Sequence, residues 1–158
     1  MKRSLGAQTT RPMPTLGELI RMQDLPDDHV IHQMNLRVAD PGDAAMALEL
    51  ELAPKVLNGY ASLQGGMLAT LVDVVGGHAV RSAPFGAHAF VTRDLSIHYL
   101  HGLVDGPVRA VATVCQQTKS SVVIRVDVCD RHGSVGAIAT VAFAVRPQQP
   151  NSNGVSTS

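Results

Sequence analysis

The chain has 158 residues, 45% of them hydrophobic, which is long and apolar enough for one compact domain with a buried core. Lysine plus arginine equals aspartate plus glutamate, 13 against 13, so no basic field exists to hold a nucleic-acid backbone. No apolar run is long enough to cross a bilayer, and no apolar segment follows the first basic residues. We therefore predict a cytoplasmic protein that has no signal peptide and binds neither a membrane nor a nucleic acid.

Residues 1–29 predict an N-terminal arm. Residues 1–13 are polar, and residues 15–23 (TLGELIRMQ) predict a short helix that a following Pro-Asp segment ends. We therefore place the folded domain at residues 30–146. The polar residues 147–158 predict a disordered tail.

Two strands are expected near the start of the domain, over residues 29–39 and 44–53, with a Pro-Gly turn between them. The second strand alternates leucine with glutamate over residues 48–52 (LELEL). Because successive side chains of a strand point to opposite faces, we expect one face to be buried and the other to be in water.

A buried helix is expected over residues 65–82 (GGMLATLVDVVGGHAVRS), which lack alternation and are apolar on nearly every side. Gly76 and Gly77 each lower the helix propensity by about 1 kcal/mol relative to alanine. Such a loss is tolerated where another segment must come very close. The helix is therefore expected to lie tightly against a sheet.

Four further stretches predict strands, over residues 88–100, 107–117, 121–130 and 135–146. The last three are joined by short turns and predict an antiparallel meander. The final strand contains small residues that suit close packing against the helix: Ala137, Ala139, Ala142 and Ala144. This order of elements predicts an α+β fold, in which a curved antiparallel sheet wraps around one long buried helix.

Cysteine and histidine give no sign of a metal site or a disulfide framework. Cys115 and Cys129 lie in apolar strand patterns, where we expect two buried thiols. The seven histidines have no carboxylate or cysteine at ligand spacing, so we expect no bound metal. The candidate chemistry therefore lies with other side chains.

Asp73 is the one charged residue between Lys55 and Arg81, and it falls in the middle of the apolar helix. An unpaired carboxylate in an apolar interior is costly, so Asp73 must be hydrogen-bonded, protonated or exposed to a pocket. A carboxylate in dry surroundings is a competent base near neutrality. Alternatively, Asp73 is structural and is satisfied by backbone groups or by a hydroxyl such as that of Thr70. The charge pattern leaves both interpretations open.

The residues Gln64-Gly65-Gly66 begin this helix, where free N–H groups can bind an oxyanion and glycine lets a ligand approach. A glycine pair is also typical of a tight turn into a helix. Gly65 and Asp73 are about 12 Å apart along the helix axis, so one chain cannot easily bring both to one small group. A two-fold dimer would, by placing Gly65 of one subunit opposite Asp73 of the other.

Residues 58–73 (NGYASLQGGMLATLVD) and 91–100 (VTRDLSIHYL) resemble the PaaI-type branch of the hotdog thioesterase superfamily. The family pattern is an Asn, a few residues, His-Gly-Gly, and an Asp or Glu seven residues beyond the second Gly. The resemblance covers about residues 30–146. It implies a hotdog fold and the hydrolysis of an acyl-CoA or aryl-CoA to the free acid and CoA.

The resemblance also implies roles for individual residues. Asp73 would be the general base or the nucleophile, the Gly65 amide would bind the thioester carbonyl, and Gly66 would be a further substrate-binding residue. Asn58 and Thr92 would orient the nucleophile or the attacking water. The active site would lie at the interface of a homodimer, and we expect a homotetramer as the further assembly. CoA would be part of the substrate, with no separate cofactor.

Two positions leave the function open. Gln64 stands where the family usually has histidine, and its amide can donate a hydrogen bond but cannot relay a proton. A non-catalytic acyl or acyl-CoA binding module is therefore an alternative. A hotdog hydratase is another: its expected Asp–His pair along a loop and a helix is not found, but His78 lies about one turn beyond Asp73. Arg93 has apolar neighbours in its strand, where a structural ion pair is favoured over a contact with a CoA phosphate.

Overall fold

The computed structural model describes Pro26, residues 28–82 and residues 87–147. The predicted helix at 15–23 and all but the first residue of the predicted tail at 147–158 lie outside these residues; Pro147 belongs to the last strand. In chain order the elements are helix α1 (Val30–Met34), strands β1 (Arg37–Ala39) and β2 (Met46–Leu50), a short 3-10 helix (Pro54–Val56), helix α2 (Gly65–Ser82), and strands β3 (Ala87–Tyr99), β4 (Val108–Gln117), β5 (Ser121–Cys129) and β6 (Val135–Pro147).

The six strands form one antiparallel sheet in the order β1-β2-β4-β5-β6-β3. Helix α2 packs against β2 through β6, so the sheet wraps around it and the predicted α+β architecture is confirmed. The predicted meander is confirmed as well, since β4, β5 and β6 pair in sequence. No helix in the described part of the chain is long and apolar enough to span a membrane.

The core lies between α2 and the concave face of the sheet. The helix contributes one set of buried residues: Leu68, Leu71, Val72, Val75, Ala79 and Val80. Strand β5 contributes every second residue, in keeping with the period of a strand: Val122, Ile124, Val126 and Val128. In β2, Leu48 and Leu50 are fully buried whereas Glu49 is half-buried, which confirms the predicted alternation.

The two helix glycines are places of close approach, as predicted. A Cβ atom added at Gly76 would lie 3.1 Å from the Phe143 ring, and one at Gly77 would lie 3.1 Å from the Phe90 ring. The two rings pack edge to face, with centroids 5.6 Å apart. The helix can therefore rest on two aromatic rings of neighbouring strands because it has no side chains at these two positions.

The prediction of one strand over residues 29–39 is wrong for its first half. Val30–Met34 forms a helix, whose first turn is capped by the imidazole of His29, which accepts a backbone N–H at 3.3 Å. Asn35 ends the helix in the left-handed conformation, at φ 52°. Only Arg37–Ala39 pairs as a strand.

Two further predictions on individual side chains are corrected by strand geometry. In β6, Ala137 and Ala139 face the helix and are buried, but Ala142 and Ala144 lie on the opposite face, because that strand buries its odd-numbered residues. Cys115 is exposed and not buried, since a β-bulge in β4 makes it the extra residue of its strand pair. Cys129 is half-buried, and burial raises the pKa of its thiol.

Candidate active site

Asp73 and Thr92 come together between α2 and β3. The Thr92 hydroxyl donates to Asp73 Oδ1 at 2.7 Å, a length typical of hydrogen bonds to a charged acceptor. Thr70, the predicted alternative partner, donates instead to the backbone oxygen of Gly66. The other carboxylate oxygen of Asp73 accepts no hydrogen bond from the residues that the structure describes. Asp73 is half-buried, so this oxygen is available to a ligand.

A β-bulge in β3 places Thr92 over the helix. Thr92 and Asp94 pair with consecutive residues of β6, which leaves Arg93 as the extra residue. Before the bulge, Phe90 and Thr92 face α2; after it, the alternation changes and Tyr99 faces α2. The bulge therefore lets one strand present both hydroxyls, of Thr92 and Tyr99, to the same helix.

Asp73 lies at a cavity of about 210 Å³, called here the Asp73 pocket. Its walls are mostly apolar, and three further polar side chains line it: Thr92, His78 and Arg81. The Arg81 guanidinium lies over the Phe90 ring, 5.8 Å from its centroid. The full lining is Ile31, Asp73, Val74, Gly77, His78, Arg81, Phe90, Thr92 and Phe143.

His78 is uncharged at neutral pH. Burial, and secondarily the nearby Arg81 charge, lower its pKa to about 4. A neutral imidazole has one donor and one acceptor nitrogen. The structure records no hydrogen bond between His78 and Asp73, although both line the Asp73 pocket, so they do not form the Asp–His pair expected of a hydratase.

Gln64 caps the N-terminus of α2. Its Oε1 atom accepts the backbone N–H of Met67 at 2.9 Å, the bond that an N-cap residue makes to the third residue of a helix. A Cβ atom at Gly66 would lie 3.0 Å from that oxygen, so the second glycine leaves room for the cap. The amide nitrogen of Gln64 remains able to donate to a ligand.

Gly65 is the first residue of α2, and its backbone is hydrogen-bonded to Tyr99, the last residue of β3. The Tyr99 hydroxyl donates to the backbone oxygen of Gly65 at 3.0 Å. The N–H groups of Gly65 and Gly66 have no acceptor among the described residues, because the first N–H groups of a helix have no partner within it. These donors can bind an oxyanion at the positive end of the helix dipole.

Asn58 stabilises the loop before helix α2 through hydrogen bonds within that loop. Its Nδ2 donates to the Ser62 hydroxyl at 2.9 Å, and its Oδ1 accepts the backbone N–H groups of Tyr60 and Ser62, at 2.9 and 3.2 Å. Both polar atoms of the amide are thus used within the loop. The predicted role of Asn58 towards a water or a nucleophile stays a prediction.

Gly65 and Asn58 line a second cavity of about 370 Å³, called here the Gly65 pocket, together with Tyr99 and His101. None of its lining residues also lines the Asp73 pocket. Within one chain, the carboxylate and the free helix N–H groups therefore belong to separate pockets, as their spacing along the helix predicts.

Comparison with known proteins places the chain in a family. The model of the thioesterase superfamily matches residues 60–137. A Halobacterium salinarum protein, named as a candidate esterase, is 32% identical over 136 residues, which are 78% of this chain and 89% of that protein. The chain belongs to the thioesterase superfamily.

Solved structures of thioesterases have the same fold. A mutant thioesterase of Pseudomonas aeruginosa matches 92% of this chain and 100% of its own, with a TM-score of 0.73 and 22% identity. A Bacillus halodurans protein, crystallised with CoA, matches 82% of this chain and 83% of its own, with a TM-score of 0.66 and 29% identity. The sheet and helix described above are thus the hotdog fold.

Several features of this thioesterase-superfamily member were not predicted from its sequence. Within residues 28–82 and 87–147, no ion pair involves Arg93, so the favoured structural ion pair is absent there. Tyr99 and Arg81 were not recognised as site residues. The spacing of Arg81, eight residues and thus about two turns beyond Asp73, was a signal that could have identified it.

Proposed function

We propose that this protein hydrolyses the thioester bond of an acyl-CoA or aryl-CoA and releases the free acid and CoA. The observation that carries the proposal is the Asp73 carboxylate, which Thr92 holds at the wall of a pocket with one oxygen available. Membership of the superfamily supports thioester hydrolysis in general, and the relative crystallised with CoA supports CoA as the thiol part of the substrate.

Asp73 acts on the thioester carbonyl in one of two ways. As a general base it takes a proton from water, whose oxygen then attacks the carbonyl carbon; as a nucleophile it attacks that carbon itself, and water cleaves the resulting anhydride. In both, the carbon–sulfur bond breaks and the CoA thiolate takes up a proton. The Gly65 N–H stabilises the carbonyl oxygen as it becomes negative, with the Gln64 amide as a second donor.

A homodimer supplies both halves of the site. Strand β3 has 13 residues, pairs with β6 on one edge and has no partner strand on the other among the described residues. Apolar side chains are exposed on it, with Val91 at 65% and Tyr99 at 55%. A long apolar edge is a template for another strand. The homotetramer stays a prediction.

The two-fold axis of such a dimer brings opposite ends of β3 together. Thr92 is in the first half of the strand and contacts Asp73, whereas Tyr99 ends the strand and contacts Gly65. In an antiparallel pair of β3 strands, the first half of one faces the second half of the other. The Asp73 pocket of one subunit then adjoins the Gly65 pocket of its partner.

Release of free thiol from aryl, short-chain and long-chain acyl-CoAs tests the proposal. We expect turnover of at least one substrate, and a decrease in kcat of about 100-fold or more for Asp73→Asn, as for loss of a general base. Asp94→Asn is the matched control, since this exposed carboxylate lies on the other face of β3.

Two results would contradict the proposal. Equal turnover by Asp73→Asn would dismiss Asp73 as the catalytic residue. Binding of acyl-CoA without release of thiol would establish the non-catalytic binding module, the alternative that the uncharged Gln64 leaves open.

A further inference from the structure

We propose that the acyl group of the substrate ends in a carboxylate, which Arg81 binds at the far end of the Asp73 pocket. This substrate class rests on the hydrolysis proposed above. A thioester of CoA with a short dicarboxylic acid has the required chemistry: the thioester carbonyl at Asp73, a short apolar linker, and an anion at Arg81.

The pocket has a direction along helix α2. Asp73, Gly77 and Arg81 follow one another at a spacing of four residues, so they lie on one face of the helix. Strand β3 runs alongside in the opposite sense: Thr92 contacts Asp73, and Phe90 lies against Gly77 and under Arg81. The carboxylate and the guanidinium are therefore at opposite ends of one cavity, with Cα atoms about 12 Å apart.

Arg81 is an exposed cation that lines the Asp73 pocket. No carboxylate lies within ion-pair distance of it in the part of the chain that the structure describes. Among the described residues, the guanidinium lies over the Phe90 ring, which covers one side of it. A guanidinium offers parallel N–H donors that fit a carboxylate, and partial desolvation strengthens such a pair.

An acyl chain that ends in a methyl group fits this end of the pocket poorly. Its terminus would remove water from Arg81 without providing a hydrogen-bond acceptor, which is unfavourable. A terminal carboxylate replaces that water. The neutral His78 on the same wall can donate a further hydrogen bond to the carboxylate.

The size of the pocket favours a short acyl group. Its volume of about 210 Å³ is below the range of about 300–1,000 Å³ found for pockets that hold drug-sized ligands. Helical side chains lean towards the N-terminus of their helix, so the long Arg81 side chain leans towards Asp73, and the span that a substrate must bridge is shorter than the distance between the two Cα atoms. Acyl groups from succinyl to adipyl suit this span, whereas long fatty acyl chains do not.

The test compares pairs of substrates of equal chain length: succinyl-CoA with butyryl-CoA, glutaryl-CoA with valeryl-CoA, and adipyl-CoA with hexanoyl-CoA. We expect at least one dicarboxylic substrate to have a kcat/KM about tenfold or more above its methyl-ended partner, mainly through KM. Arg81→Met keeps the length and apolar stem of the side chain and should abolish the preference. Arg131→Met, in an exposed turn outside the pocket, should leave it unchanged.

Binding separates this inference from the hydrolysis itself. Calorimetry with Asp73→Asn should give tighter binding of succinyl-CoA than of butyryl-CoA, and the double variant Asp73→Asn/Arg81→Met should bind both equally. If the wild-type protein hydrolyses both members of each pair equally, and Arg81→Met changes neither, the inference is overturned while the proposed hydrolysis stands. If no substrate releases thiol but binding discriminates as expected, hydrolysis is overturned and the anion site stands.

Discussion

Replacing Thr92 by valine removes one hydroxyl from the Asp73 carboxylate and nearly preserves the shape of the side chain. The hydroxyl and carboxylate oxygens are 2.7 Å apart, and a hydrogen bond to a charged group contributes about 1.5–3 kcal/mol. Thr92 is exposed and Asp73 is half-buried, so the lower end of that range applies. Because about 1.4 kcal/mol corresponds to a factor of ten in rate, Thr92→Val should lower kcat about tenfold.

Steady-state release of thiol, measured beside unfolding in urea, tests this prediction. Thr92→Ser keeps the hydroxyl and should retain kcat within about threefold. Thr140→Val makes the same change at an exposed site on the outer face of β6 and should have no effect. Because the lost hydrogen bond is partly exposed to water, the free energy of unfolding should fall by no more than about 1.5 kcal/mol. A wild-type kcat for Thr92→Val, or an equal loss for Thr92→Ser, would refute a role of this hydroxyl in orienting Asp73.

Three further predictions concern the helix and its pocket. His78 has a pKa of about 4 in the folded protein and near 6.5 when unfolded, so the unfolded chain binds more protons between these values and stability falls as the pH drops. His78→Gln should remove about 2 kcal/mol of the stability difference between about pH 7 and about pH 5 in urea unfolding, and an unchanged difference would contradict this. Gln64→Glu keeps an acceptor for the helix cap but loses the amide donor, so thermal stability should be retained while kcat falls. If thermal stability and kcat fall together, capping the helix is the only role of Gln64. Gly76→Ala brings a methyl group to 3.1 Å from the Phe143 ring. The overpacking costs about 1–3 kcal/mol and should exceed the gain of about 1 kcal/mol in helix propensity, so the unfolding free energy should fall. A rise in the unfolding free energy would contradict the tight contact.

The hydrophobic pattern along the chain was sufficient to predict helix α2 and the antiparallel meander of β4, β5 and β6. Residues 65–82 are apolar on nearly every side, and a helix buried against other elements is the structure in which a segment of that length has all these side chains out of water. Helix α1 was missed because Val30 and Ile31 are β-branched, a feature typical of strands, and five residues are too few for a helical period. The bulges at Arg93 and Cys115 depend on the register between paired strands, which no local pattern contains.

The candidate site could be predicted in part. Asp73 was identified by its charge in apolar surroundings, and Thr92 by the family resemblance, and the structure brings the two together. The cap made by Gln64 was missed, because Gln is not among the preferred N-cap residues. The contact of Tyr99 with Gly65 joins positions 34 residues apart, and it depends on how β3 lies across the helix.

The most direct test of the shared site is complementation between two inactive variants. Asp73→Asn removes the carboxylate, and Gly65→Pro removes the candidate oxyanion donor at the first helical position, where proline is tolerated. A Cβ atom at Gly65 meets nothing closer than the Tyr99 ring and hydroxyl, at 3.6 Å, which is ordinary van der Waals contact and no clash.

When the two variants are co-expressed in equal amounts, about half of the dimers are mixed, and each mixed dimer has one site with both groups intact. Thiol release should therefore recover to about a quarter of the wild-type rate, although each variant alone is inactive. If the mixture is as inactive as its components while mixed dimers form, Asp73 and Gly65 do not meet across an interface between subunits, and the central claim is contradicted.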